Sequence, residues 1–170
     1  MRSPPTSTPP ILVLGVGNLL LGDDGVGVLL ARELARRPLP AQVQVMDGGT
    51  LGMALLPYLE GRQALVLLDA VRTADPPGSL RWLSLEEMSR FAAVPGVSPH
   101  EGNAAQLLAT GLLAGCLPPE VWVGAIAVAQ VATGVGLSPA LQRAFPELVA
   151  AVERFLLKIA VRPASGSRLP

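Results

Sequence analysis

ILVLGVGNLLLGDDGVG, residues 11–27, decides how the rest of the chain is read. Ile11 to Leu14 are four consecutive apolar residues, the pattern of a strand covered on both faces. Gly15 and Gly17 then allow a sharp turn and a close approach of backbone to whatever binds there. Asp23 and Asp24 stand where a helix begins. Val26, Leu29, Leu30 and Leu34 continue it as one apolar stripe. In open parallel sheets, ligands bind outside the carboxyl ends of the strands, so polar side chains just past this strand are the first place to look for chemistry.

Working outward, the same alternation recurs. Pro38 and Pro40 end the first helix. VQVMD (43–47) is a second strand, Gly48 and Gly49 make a turn, and Thr50 caps a short helix to about Leu59. ALVLLDA (64–70) is a third strand. This order predicts an α/β fold of three layers, a twisted, mostly parallel five-stranded sheet with helices on both faces. SLRWL (79–83) follows the Asp75-Pro76-Pro77-Gly78 turn too closely for a helical crossover, so it is expected to run antiparallel or lie at an edge. Ser84 with Glu87 forms a capping box for a brief helix to about Phe91, and residues 92–100 are expected to be a loop. A helix over 104–114, a fifth strand over 121–128 and a last helix opened by Ser138-Pro139 complete the domain. The expected organisation is a mobile tail over 1–9, one domain over 10–160 and a second mobile tail over 161–170.

Composition narrows the function. With 13 basic and 13 acidic residues, the chain has no net charge to suggest nucleic acid or an acidic solvating role. One cysteine, Cys116, excludes an internal disulfide framework and fits a reducing compartment. The prolines of MRSPPTSTPP make neither a secretory signal nor an anchor, and no apolar run approaches the roughly 18 residues of a membrane span. The expected location is cytoplasmic, without a membrane partner.

Several chemistries fail on spacing. The dinucleotide fingerprint opens at Gly15 and Gly17 but meets Leu20 where its third glycine belongs, so no nucleotide cofactor is expected. There is no Walker lysine and no G-x-S-x-G elbow, and Cys116 sits among apolar residues. Four polar side chains remain near strand ends: Asp24, Asp47, Asp69 and His100. Two carboxylates and one imidazole suit a borderline divalent cation and leave positions open for substrate. Each also has a plainer reading. Asp23 and Asp24 can serve helix amides, Asp47 can shape a turn, and His100 can be structural. Asp69, ending a buried strand, is the hardest to dismiss, because a buried carboxylate needs a partner.

The chain resembles the hydrogenase maturation endopeptidases, which process the large subunit of nickel–iron hydrogenases. The resemblance rests on ILVLGVGNLLLGDDGVGV (11–28), VQVMDGGTLGMALL (43–56), LVLLDAV (65–71) with PPGS (76–79), SPHEGN (98–103), VG (123–124) and GLSPAL (136–141). These run in order over most of residues 10–157, and the block G-x-G-N-x-x-x-x-D-D-G-x-G is distinctive. The resemblance implies a twisted sheet with helices on both sides. It implies metal contacts at Asp24, Asp69 and His100, and a supporting or catalytic role for Asp47. Gly17, Asn18, Gly48 and Gly49 would shape the turns or meet the substrate. The implied activity is an aspartic-type, nickel-directed endopeptidase that removes a C-terminal extension from the hydrogenase large-subunit precursor. Nickel would arrive with the precursor, and the enzyme would act as a monomer. One departure stands out. Relatives carry a proline- and glutamate-rich stretch after VG, whereas AIAVAQVATGVG (125–136) has no acid and Gln130 stands in its place. That keeps a second reading open, a non-cleaving metal- or precursor-binding maturation factor of the same fold.

Overall fold

Ala64 to Val71 are buried without a break, and the strand they form, β3 (Ala64–Arg72), lies between two parallel neighbours. On one side is β1 (Ile11–Val16), with β2 (Val43–Gly49) beyond it; on the other is β6 (Glu120–Val128). The edge strand β4 (Leu80–Ser84) pairs antiparallel with β6, giving the order β2-β1-β3-β6-β4. The computed structural model describes residues 8–93, 98–99, 104–129 and 131–161. Most of both expected tails, and residues 94–97 and 100 of the loop expected over 92–100, lie outside the described residues.

Side chains alternate between the two faces of the sheet, and each face has its own core. Val13, Val66 and Leu68 face α1 (Val26–Leu34) and α4 (Pro139–Ala160), meeting Leu30, Leu34, Leu148 and Val152. Leu12, Leu14, Leu65 and Leu67 face the other way. They meet Leu55 and Leu59 of a 3-10 segment (Gly52–Leu59), Met88 of α2 (Leu85–Ala92) and Leu107 of α3 (Ala104–Ala114). The expected three-layer α/β architecture is the observed one.

The differences from expectation are local. The first helix does not start at Asp23: residues Gly22–Gly25 form a 3-10 turn and α1 begins at Val26 and ends at Leu34. The N-cap position of α1 is Gly25, which offers no side-chain cap, and the bonds of the two aspartates are described below. Thr50 caps nothing either. The segment after it is 3-10 rather than α, with Pro57 inside it removing one amide donor. Within the expected loop over 92–100, Ser98–Pro99 forms a short sixth strand, β5, antiparallel to Val71 and Arg72. Two residues are too few to show as a strand pattern. Pro9, assigned to the N-terminal tail, is held through its carbonyl oxygen by Arg62 Nη1 at 2.6 Å.

Candidate active site

From β1 the chain runs out to β2 on one side, then returns to β3 on the other. The strand order therefore reverses between β1 and β3, and in open α/β sheets ligands bind outside the carboxyl ends of the strands at such a reversal. The turn after β1 lies at that end. Gly17 leaves the strand with φ 131° and donates its N–H to Gly49 O at 3.0 Å, which ties the turns after β1 and β2 together. Asn18 accepts the Leu20 N–H on its side-chain oxygen at 2.9 Å, a local turn of the kind asparagine favours. The backbone N–H of Asn18 donates to Asp24 Oδ2 at 2.6 Å. Asp24 is thereby folded back over the turn.

Asp69 approaches from β3. It follows Leu68, which lies opposite Gly15 of β1, and it is only 5% exposed. Burial pushes its carboxyl up to about 8; the neighbouring Asp24 charge adds to the rise, and the Ala70 N–H works against it. Two carboxylates from different elements thus share one buried corner. His100 lies outside the described residues, as does Gln130. Pro99, the residue before His100, is paired with Val71, two positions past Asp69 on the same strand. Among the described residues no group of three His, Cys, Asp or Glu side chains could hold a metal ion. The donor types fit nickel, since carboxylate and imidazole both ligate borderline divalent ions.

Asp47 is not brought into this pair. It shares a face of β2 with Val43 and Val45, which pack on the core beneath α1 and α4. Its Oδ2 accepts from Arg32 Nε of α1 at 2.8 Å and is ion-paired with Nη2 of the same guanidinium, also at 2.8 Å. Asp69, alternating with Leu68, points to the opposite face. Gly48 is buried against Gly15 and Leu55, and Gly49 takes φ 47°. Both therefore shape the turn that receives Gly17.

One feature of the site had no signal in the sequence. Asp23, 6% exposed, accepts the Ser138 N–H on Oδ1 at 2.7 Å. Its partner is distant in the chain, and an Asp-Asp pair before a helix looks like ordinary capping.

A family model described as hydrogenase maturation protease matches residues 28–155. The chain belongs to the hydrogenase maturation protease family. It is similar to the hydrogenase expression/formation protein HupD of Rhodobacter capsulatus, with 38% identity over 112 residues, 65% of this chain and 53% of that protein. It is also similar to the hydrogenase 2 maturation protease of Escherichia coli (strain K12), with 34% identity over 134 residues, 78% of this chain and 81% of that one. The chain spans about half the length of the HupD relatives it matches. Among solved structures, the hydrogenase maturating endopeptidase HybD from E. coli superimposes with a TM-score of 0.74 at 31% identity, over 88% of this chain and 93% of that one. As in other family members of known structure, helices flank a mostly parallel sheet.

Proposed function

We propose that this chain is an endopeptidase that removes a C-terminal extension from the nickel-loaded large-subunit precursor of a nickel–iron hydrogenase. The observation that carries the reading is the buried pair Asp24 and Asp69 at the point where the strand order reverses. Two carboxylates held together in a low-dielectric corner repel each other unless a proton or a cation lies between them. A nickel ion already bound in the precursor supplies that cation. Asp24 and Asp69, with His100 from the segment after β5, complete its coordination. Nickel is thus part of the substrate and acts as the docking point, so loaded precursor is preferred over empty precursor. Asp47 has a supporting role, because its carboxylate is taken up by Arg32. Membership of the family and the similarity to HybD and to the E. coli hydrogenase 2 maturation protease support cleavage over binding alone.

The test is a processing assay. The purified chain is mixed with large-subunit precursor from its own host, with and without inserted nickel, and the precursor mass is followed. The expected result is one nickel-dependent cut near the C-terminus. Nickel-dependent association without a cut overturns the protease assignment and leaves a binding factor.

A further inference from the structure

The 3-10 turn that carries Asp24 is tied on its other side to the segment between β6 and α4. Gly22 donates its N–H to Gly134 O at 2.8 Å, and Gly134 donates its own to Leu20 O at 2.9 Å, a one-residue parallel bridge at Leu21 and Gly134. Asp23 Oδ1 then accepts the N–H of Ser138 at 2.7 Å, where the segment ends and α4 begins. Ser138 already caps α4 itself, since its Oγ accepts from Leu141 N at 3.4 Å. The Asp23 carboxylate is therefore not needed to cap that helix. It fixes the last backbone amide of the connecting segment, and burying a carboxylate for that purpose costs free energy that an apolar residue would not.

The segment so fixed has an unusual surface. VATGVGL (131–137) contains no charged residue. Val135 is 86% exposed, and Leu20, which accepts the Gly134 N–H, is 64% exposed. Two large apolar side chains thus stand in solvent on adjoining strands of a bridge, one turn from Asp24. We infer that residues 131–137 form an uncharged wall of the substrate site, that the wall receives an uncharged, apolar stretch of precursor polypeptide beside the nickel, and that Asp23 is the positioning residue that keeps it in register with Asp24. This rests on the function proposed above. Asp23 and Asp24 are neighbours in one turn but face opposite ways: Asp24 back to Asn18, Asp23 across to Ser138. A single turn thereby links the metal contact to the wall, and a shift in either moves the other.

The experiment measures kcat and KM for nickel-loaded precursor with the wild type and with Val135→Glu, Asp23→Ala and Asp23→Asn. Backbone amide exchange is followed in the same samples. Val135 is exposed, so its substitution is expected to leave thermal unfolding unchanged and to raise KM about tenfold by placing a charge against an apolar partner. Asp23→Ala is expected to raise KM similarly with kcat little changed and to speed exchange at Ser138. Asp23→Asn keeps an acceptor in place and restores KM. A merely structural Asp23 would lower the melting temperature and leave the KM of the folded fraction untouched. If Asp23→Ala does not fold, Val135→Glu decides alone. Wild-type KM in Val135→Glu, with wild-type protein cutting normally, overturns the wall and leaves the protease reading standing. If the wild type neither binds nor cuts loaded precursor, that reading falls and the wall with it.

Discussion

Position 17 tolerates no side chain. A Cβ there would lie 2.0 Å from the carbonyl oxygen of Asp24, and the backbone takes φ 131°, outside the range of L-residues. Gly17→Val is expected to cost about 3 kcal/mol or more, from strained backbone together with overpacking, and to lower soluble yield and nickel-dependent processing together. Urea unfolding of whatever folded protein is recovered measures it. Asp69 gives a different kind of prediction. Its folded value, about 8, stands above the ordinary 3.8, so between those values the unfolded chain has released a proton that the folded one keeps. Folding then takes up a proton, and stability falls as pH rises from about 4 to about 8, by at most about 1.4 kcal/mol per pH unit from this group. Asp69→Asn carries no such charge. Its stability relative to wild type, measured by urea unfolding without metal, is expected to improve steadily from pH 5 to pH 8; parallel curves would show that the Asp69 carboxyl is already ionised in the fold. The burial of Asp69 was legible because every residue from Ala64 to Leu68 is apolar, although the strand does not end there and runs on to Arg72. Its proximity to Asp24 was not, because nothing in a local pattern reports how β1 and β3 are joined.

Elements were legible where the signal was local. Ser84 and Glu87 form the reciprocal capping box that their spacing announces, with Ser84 N donating to Glu87 Oε2 at 2.8 Å and Glu87 N to Ser84 Oγ at 3.2 Å. The Ser138-Pro139 start of α4 is equally local. The apparent caps at Asp23 and Thr50 misled, because the same side chains suit turns and long-range bonds, and a pattern of residue types does not rank those uses. Arg62 carried no signal at all. Its guanidinium is buried and donates to three acceptors from three places: Tyr58 O at 3.0 Å, Pro9 O at 2.6 Å and Gln44 Oε1 at 2.7 Å. It fastens the entry to β1, the start of β2 and the end of the 3-10 segment at the amino ends of the strands, away from the carboxylate pair. Arg62→Met is expected to cost about 2–4 kcal/mol, through buried acceptors left unpaired. Below its melting temperature it should process precursor with wild-type kcat and KM. Loss of activity without loss of stability would place Arg62 in the site after all.

Across the whole molecule, the alternation of strands and helices was enough for the layers and for the parallel centre of the sheet. It was not enough for strand order, because β6 inserts between β3 and β4, a pairing made late in the chain with no local cue. That order matters for function. Placing β1 beside β3, with the chain leaving them in opposite directions, brings a residue of the turn after β1 and one of a central strand together at the carboxyl end of the sheet. Nickel recognition on this plan belongs to the assembly and to no single residue, so each contact should fail alone. Asp24→Ala, Asp69→Ala and His100→Ala are each expected to bind nickel-loaded precursor at least about tenfold more weakly, toward the level of empty precursor, as loss of one donor weakens a metal site. Empty precursor, which offers no metal to contact, should bind all four proteins alike. Pull-down with loaded and empty precursor, alongside thermal unfolding, separates this from general damage: a variant equally weak toward both has lost the docking surface. A variant that still prefers loaded precursor as strongly as the wild type removes that residue from the nickel contact.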